Sequence, residues 1–371
     1  MSRRPSSGTG ATTGAAGGSA GAPRAEGRTL AFAESPAQLL NLLEWAHLTR
    51  PQDLTLVVLP PGDPMTRGQL RRMVELARDE GHPVRWQEAR GGALAPLRAA
   101  GTLAAELRRA ARLVIGDPFS RYLQVLLNLA GAAHAVVVDD GTATMEFASQ
   151  LAQGERLTRW HRTGRGGASA LLFAPVSHGA RRRLTPGPAR EVEVFSAMPI
   201  EPPPGVRLRT NSFAWTRERF GPPLLTKGAD LVGTSLVETG VVDQERYVEA
   251  VARLAGEYGA TRYFAHRREA SGKLQRVASA AGLQIVRPDL PLELAARRGP
   301  VGRTILSFPS TVVHTLPLAL SGTPVTVAVR DVDPAWLTPA AAPGAKGFLA
   351  RVAESATGVR SLGPEPGAAS A

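Results

Sequence analysis

The segment VVVDDGTAT places two carboxylates, Asp139 and Asp140, directly after an apolar run, and Gly141 opens the turn that follows. A carboxylate at the end of a strand can accept the proton of a hydroxyl group and so act as a general base. An aspartate here can instead cap a helix that begins near Thr142, since it accepts hydrogen bonds from the first backbone N–H groups of a helix. The pattern therefore indicates either a catalytic base or a helix cap.

The segment YFAHRREASGK has His266 at the end of a second apolar run, with Arg267 next to it. An imidazole N–H can donate a hydrogen bond to a phosphate, and a neighbouring guanidinium stabilises the negative charge of a departing nucleotide. The alternative is a structural histidine followed by arginines that only face solvent. The motif alone does not distinguish a phosphate-binding histidine from a structural one.

The segment ILSFPSTVVHTLPLAL has a strand that ends at Ser307, a turn at Pro309, and Ser310 and Thr311 at the start of a helix. Two hydroxyls beside the unpaired backbone N–H groups of a helix N-terminus form an anion site that suits a nucleotide phosphate. The alternative is an ordinary Ser/Thr cap. His314, one turn into the helix, is expected to pack against neighbours.

The composition excludes several classes of function. The chain has 371 residues and a formal net charge of +12, but the basic residues are dispersed and only 5% of the residues are aromatic. Binding of single-stranded nucleic acid needs aromatic side chains among the basic clusters, so we expect no nucleic-acid partner. The absence of cysteine excludes disulfides and thiolate metal sites and fits the reducing cytoplasm. The histidines lack metal-site spacing, no P-loop occurs, and no G-x-S-x-G motif forms an elbow between a predicted strand and a helix.

Short apolar runs alternate with helical patterns along the chain, which is typical of βαβ units and a parallel sheet. We predict an α/β protein with two Rossmann-like domains at 29–199 and 207–361, joined by a stiff proline-rich linker at 200–206. A disordered tail is expected at 1–28 and a polar tail at 362–371. The less regular part of the first domain is expected to contain strands at 170–173 and 191–195.

In this order, the three segments resemble the motifs of the bacterial sialyltransferases of GT-B architecture. That group includes the lipooligosaccharide sialyltransferases of glycosyltransferase family 52 and the capsular polysialyltransferases. Its members share a D/E-D/E-G motif in the first domain and a histidine-centred HP motif and a Ser-Ser or Ser-Thr motif in the second. The stretches AFAESPAQLLNLLEW and IGDPFSRYLQVLLN are also similar to that group, and the resemblance covers about residues 29–330. One departure is that Arg267 stands where the HP motif has proline.

The resemblance implies a role for each matching residue. Asp140 would be the base that activates the acceptor hydroxyl, and His266 would contact the phosphate of the donor and assist its departure. Ser310 and Thr311 would hold that phosphate at the helix start. Glu293, in a Pro-x-Glu segment, would contact the ribose or the base. The other substrate-binding residues that the resemblance implies are Asp139, Gly141 and Arg267.

The implied fold is GT-B, in which two Rossmann-like domains face each other across a cleft, here an N-terminal acceptor domain and a C-terminal nucleotide-sugar domain. The implied activity is inverting, metal-independent transfer of a sialic acid or related nonulosonate from a CMP-sugar to a hydroxyl of a glycan or glycolipid. No cofactor is expected besides the donor. The enzyme would be cytoplasmic, with its positive charge available for peripheral contact with an anionic membrane. Two alternatives stay open: a non-catalytic protein that binds an anionic glycan or nucleotide, and a UDP-sugar enzyme of the same fold.

Overall fold

The computed structural model describes residues 27–89, 95–158, 168–339, 341 and 345–363. The predicted tails lie outside this range, apart from residues 27–28 and 362–363. The strands of the first sheet are β1 (Thr29–Ala33), β2 (Leu54–Val58), β3 (Val84–Trp86), β4 (Arg112–Ile115), β5 (His134–Val138), β6 (Glu191–Ser196) and β7 (Arg207–Thr210). The helices among them are α1 (Pro36–Thr49), α2 (Pro64–Asp79), α3 (Ala95–Arg109), α4 (Arg121–Leu129), α5 (Thr142–Gln153) and α6 (Ala168–Arg183).

The first sheet is parallel throughout and has the order β3-β2-β1-β4-β5-β6-β7. Its first six strands follow the Rossmann order, in which the chain reverses its direction of travel across the sheet between β1 and β4. Alternate residues of each strand face opposite sides, so that Phe32 and Ala33 belong to two different apolar clusters. Helices α3 to α6 cover one face, whereas α1 and α2 cover the other.

A helix, α7 (Ala214–Arg219), connects the first sheet to a second one. The strands of the second sheet are β8 (Leu225–Val232), β9 (Ala260–Phe264), β10 (Gln284–Val286), β11 (Val301–Ser307), β12 (Thr326–Val329) and β13 (Val359–Ser361). The helices are α8 (Gln244–Tyr258), α9 (Ser271–Ala281), α10 (Leu292–Arg298), α11 (Val312–Ala319) and α12 (Ala345–Glu354). The order β10-β9-β8-β11-β12-β13, again all parallel, repeats the Rossmann order. The predicted fold class, two Rossmann-like α/β domains in a GT-B type arrangement, is confirmed.

Two local predictions are wrong. Residues 170–173 are not a strand but part of α6, which packs on α4. A short apolar run fits a strand or a buried helix equally well, and the periodicity of four residues cannot separate them. The proline-rich segment 200–206 connects β6 to β7 of the same sheet, so it is not the link between domains. The pairing of β7 with β6 is a tertiary contact that the proline pattern does not reveal.

The crossover between the sheets is fastened to both halves of the molecule. The buried carboxylate of Glu44, on α1, accepts hydrogen bonds from the backbone N–H groups of Trp215 (3.0 Å) and Thr216 (2.9 Å) at the start of α7. Arg217, later in α7, donates to the carbonyl of Leu318 at 3.1 Å. The two sheets are thereby held in a defined relative position. No helix in the described ranges has the length and apolar character needed to cross a bilayer.

Candidate functional site at the facing strand ends

The carboxyl ends of the two sheets meet at the loops that follow β5 and β11. A Cβ atom at Gly141, after β5, would lie 2.4 Å from Thr311 Oγ1, so the two loops touch. Gly141 has φ +69°, a backbone conformation that residues with a Cβ atom rarely adopt. The structure therefore brings together the first and third of the predicted segments, one from each domain. In parallel α/β sheets this edge is where ligands bind.

Asp139 anchors the loop after β5. Its Oδ1 accepts hydrogen bonds from Gly141 N (3.0 Å) and Thr144 Oγ1 (2.7 Å), and its Oδ2 accepts one from Ala197 N (3.0 Å). The residue is 1% exposed, and this burial raises its pKa to about 6 although the hydrogen bonds act in the opposite direction. Asp139 therefore holds the loop together and is not placed to touch a substrate, which corrects the substrate-binding role expected for it.

Asp140 lies in a different environment from its neighbour. It is partly exposed, and its backbone N–H donates to Thr144 Oγ1 at 2.9 Å. Helix α5 begins directly afterwards, and its N-cap residue Gly141 makes no side-chain cap. The N-cap position of α5 is therefore Gly141 and not Asp140, and Asp140 lies at the edge of the sheet in the loop that touches Thr311.

The loop after β11 matches the predicted phosphate site in its local structure. Ser310 and Thr311 are partly exposed, and Thr311, the N-cap of α11, makes no side-chain hydrogen bond to the helix. Ser310 Oγ lies 3.4 Å from Ser307 Oγ, which is buried at the end of the strand. Within the described residues, the backbone N–H groups of Ser310, Thr311 and Val312 have no acceptor, as is usual at a helix N-terminus. This arrangement can bind an anion through two hydroxyls and several N–H groups.

His266 is held as a neutral imidazole. Its Nδ1 accepts a hydrogen bond from Arg268 N at 3.2 Å, which leaves the ring proton on Nε2. Burial lowers the pKa of His266 to about 3, and the positive charges of Arg267, Arg268 and Lys273 add to the effect. A neutral Nε2–H group is a hydrogen-bond donor over the physiological pH range, so His266 can stabilise a phosphate without first being protonated.

Arg267 lies close to Asp63, in the loop after β2 of the other domain. Hydrogen bonds from Thr66 lower the pKa of Asp63, and the positive charge of Arg267 lowers it further. The adjoining part of α2 also contacts the second domain, because Gln69 Nε2 donates to the carbonyl of Pro288 at 2.7 Å. The loops after β9 and β2 thus face each other across the domains, as the loops after β11 and β5 do.

Glu293 is placed behind the phosphate-type loop. It is 9% exposed, and its Oε1 accepts a 2.5 Å hydrogen bond from Thr315 Oγ1, one turn after Thr311. Burial raises its pKa. Glu293 therefore fastens α10 to α11, and the direct contact with a ribose or base that was expected for it does not fit its burial.

The site also contains residues that the sequence patterns did not single out. Gly233 and Thr234 follow β8, the strand between β9 and β11, and lie against the buried pair Glu269 and Lys273. The spacing of Glu269 and Lys273, four residues apart at the start of a helix, is the signal that could have revealed the pair. Among the described residues no cluster of three or more histidine, aspartate and glutamate side chains has the geometry of a metal site. Metal independence stays a prediction.

Comparison with known proteins finds structural likeness only. No protein-family model and no curated protein sequence matches the chain. An α/β-galactoside α-2,3-sialyltransferase from Photobacterium phosphoreum is 8% identical, with a TM-score of 0.47 over 91% of this chain and 99% of that one. MurG from Acinetobacter baumannii is 12% identical, with a TM-score of 0.41 over 91% and 86%. The heptosyltransferase WaaC of E. coli with ADP is 13% identical, with a TM-score of 0.38 over 89% and 99%. At such low sequence identity, structural similarity does not show that two proteins act on the same substrate.

Proposed function

We propose that this protein is a glycosyltransferase that moves a sialic acid or related nonulosonate from a CMP-sugar to a glycan hydroxyl, with inversion and without a metal ion. The observation that carries the proposal is the contact between Gly141 and Thr311, which puts the loop of a partly exposed carboxylate next to a helix N-terminus suited to phosphate. A group transfer from a nucleotide needs both functions within a few ångström of each other.

The second domain supplies the donor side of the proposed site. The hydroxyls of Ser310 and Thr311 and the N-terminus of α11 would bind the phosphate of CMP. The Nε2–H group of His266 and the guanidinium of Arg267 would stabilise the charge that develops on this phosphate as it leaves. In other transferases a divalent cation stabilises the negative charge of the leaving phosphate. Here these neutral and cationic hydrogen-bond donors would stabilise it instead, which supports a metal-independent reaction.

The first domain supplies the acceptor side. Asp140 would take the proton of the acceptor hydroxyl while the oxygen attacks the anomeric carbon of the sugar. The bond between that carbon and the phosphate oxygen breaks in the same step, and its electron pair leaves with CMP. Attack from the face opposite to CMP inverts the anomeric centre.

The first test is thermal stabilisation of the full chain by CMP, CDP, UMP, UDP and AMP, without added metal and again with EDTA. A ligand of the folded state raises the melting temperature by mass action. We expect CMP and CDP to stabilise the protein selectively and EDTA to have no effect. Stabilisation by UDP alone would favour a UDP-sugar enzyme, and the absence of any response together with no transfer from CMP-sugars would favour the non-catalytic alternative.

The second test separates catalysis from binding. The substitution Asp140→Asn should lower the turnover with a CMP-sugar donor by about 100-fold to 10,000-fold, because it removes a general base. Its affinity for CMP should change little. The matched control is Asp53→Asn, an exposed carboxylate beside the amino end of β2, at the opposite edge of the same sheet. Equal turnover in the wild type and in Asp140→Asn would show that Asp140 is not the general base.

A further inference from the structure

Lys273, on α9, is a lysine whose side chain is completely buried. Its Nζ lies 2.7 Å from Glu269 Oε1 and 3.2 Å from Glu238 Oε2, and it donates to the carbonyl of Thr234 at 3.0 Å. The three acceptors match the three N–H bonds of an ammonium group. The side chains of Lys273 and Glu269 are both 0% exposed, so the ion pair is shielded from water.

The carboxylate of Glu269 connects this pair to the candidate phosphate-binding histidine. Its Oε2 accepts a hydrogen bond from the backbone N–H of His266 at 2.7 Å, and its Oε1 accepts one from Tyr263 Oη at 2.6 Å. The Tyr263 hydroxyl lies 2.9 Å from that of Tyr247. The carboxylate of Glu269 therefore ties the backbone of His266 to buried groups of the interior.

The same group of residues also holds the loop after β8. Thr234 N donates to Tyr247 Oη at 3.2 Å, while the carbonyl of Thr234 accepts from Lys273. Gly233 has no room for a side chain, since a Cβ atom there would lie 2.1 Å from Glu269 Oε2 and 2.5 Å from Tyr263 Oη. The loops at the carboxyl ends of two adjacent strands, β8 and β9, thus share one buried support.

Stability alone is a poor explanation for such a pair. Removing two charges from water costs free energy that their mutual attraction only partly recovers, so an apolar pair of similar volume is often as stable. The pair does contact two backbone segments at the candidate site, because Glu269 accepts from the N–H of His266 and Lys273 donates to the carbonyl of Thr234.

We propose that Lys273 and Glu269 are positioning residues, whose buried ion pair holds the loops after β8 and β9 so that the imidazole of His266 presents its Nε2–H to the donor phosphate. The ligand part of this statement rests on the proposed function, whereas the positioning of His266 is a property of the chain itself. Neither residue needs to touch the substrate.

The test follows the imidazole of His266 by ¹⁵N NMR of the histidine-labelled full chain, with His266→Asn to assign the signal. The two test variants are Glu269→Gln and Tyr263→Phe. If only charge mattered, removing the carboxylate would lower the pKa of His266 still further, and removing the tyrosine hydroxyl would leave it unchanged. If position matters, both variants release the ring to water, and the pKa rises from about 3 toward the ordinary 6.5.

The matched control is Asp230→Asn, which disrupts another buried ion pair. Asp230, on β8, is bound at 2.7 Å by Arg262, on β9, within the sheet and not in the loops that follow these strands. We expect this control to lose stability but to keep the wild-type titration of His266. Because Tyr263→Phe changes no charge and little volume, it keeps the test decisive even if Glu269→Gln does not fold.

An unchanged His266 titration in folded test variants would overturn the proposal and leave the ion pair a structural feature only. A second measurement, the dissociation constant of CMP, tests the link to function. It should rise about tenfold in both test variants and stay the same in the control. If the titration shifts as expected but the wild type does not bind CMP, the positioning role stands and the proposed function fails.

Discussion

Asp139 and Asp140 show how strongly the surroundings of a residue decide its role. They are adjacent and chemically identical, yet Asp139 is fully buried with both carboxylate oxygens hydrogen-bonded, whereas Asp140 is partly exposed in the same loop. The bound carboxylate keeps the loop in shape, whereas the exposed one is the general base in our proposal. The same substitution should therefore lower stability at Asp139 and leave stability nearly unchanged at Asp140.

The substitution Asp139→Asn should lower the free energy of unfolding by about 1 to 3 kcal/mol, because an amide NH₂ group would face one of the N–H groups that now donate to the carboxylate. Asp140→Asn should change the free energy of unfolding by less than about 0.5 kcal/mol. Urea denaturation of both variants checks this, and similar losses for the two would contradict the assignment of roles.

His266 should also make the folding free energy depend on pH. Its pKa is about 3 in the folded chain and about 6.5 when unfolded, so the unfolded state binds the extra proton between these values. The stability that this group contributes is complete above pH 6.5 and is lost as the pH falls toward 3. The groups facing the ring are Arg267, Arg268, Lys273 and Glu269.

The comparison of the wild type with His266→Asn isolates this contribution. Asp139, whose pKa is raised, works in the opposite direction over about pH 4 to 6, but it is present in both proteins and cancels. The difference between the two free energies of unfolding should change by about 1.4 kcal/mol per pH unit between pH 4 and 6, in favour of the variant at low pH. Denaturation at several pH values measures this, and a difference that is independent of pH would contradict it.

At the scale of elements, the loops after β8 and β9 depend on a position without a side chain. Gly233 lies against the carboxylate of Glu269 and the hydroxyl of Tyr263, and its backbone conformation does not itself require glycine. The cost of a methyl group at this position is therefore steric, and it reports on how closely the loop packs on the buried ion pair.

The substitution Gly233→Ala should lower the free energy of unfolding by about 1 to 3 kcal/mol through this overpacking. The matched control is Gly256→Ala in α8, where nothing lies within 4 Å of the new methyl group. The control should stabilise the protein by about 0.5 to 1 kcal/mol, because alanine favours a helix over glycine. Denaturation curves of the two variants measure both effects. Equal changes in the free energy of unfolding would mean that the loop moves to accommodate the new methyl group.

At the scale of the whole molecule, the loop after β5 is coupled to the crossover between the domains. Asn41 Nδ2 donates to the carbonyl of Asp139 at 2.9 Å, and Asn211 Nδ2 donates to Asn41 Oδ1 at the same distance. Asn211 Oδ1 in turn accepts a hydrogen bond from Phe213 N, immediately before α7. These hydrogen bonds therefore connect the loop that carries Asp140 to the segment that enters α7.

The contact between the domains at Gly141 and Thr311 can be measured by a double-mutant cycle. Gly141→Ala should be strongly destabilising, because its methyl group meets Thr311 and its φ of +69° disfavours a side chain. In a Thr311→Ala background the backbone cost stays but most of the collision disappears. We expect a coupling free energy of about 1 kcal/mol or more from denaturation of the four proteins. Additive effects would mean that the loops do not touch in solution.

Local sequence patterns predicted the alternation of strands and helices and the strand ends at which the candidate site residues lie. The apolar run before the aspartates is strand β5, and the aspartates, His266 and the Ser310–Thr311 pair all follow strands. These properties are local, because strand and helix periodicity and turn residues act over a few neighbouring positions, and parallel sheets expose their loops at one edge.

Which of those residues are buried, and which of them contact each other, depends on tertiary packing. The burial of Asp139 and Glu293, the enclosed charge of Lys273 and the pairing of β7 with β6 depend on segments distant along the chain. The contact between Gly141 and Thr311 joins two domains. Burial and long-range hydrogen bonds arise from packing among many segments at once, so no single stretch of sequence contains them.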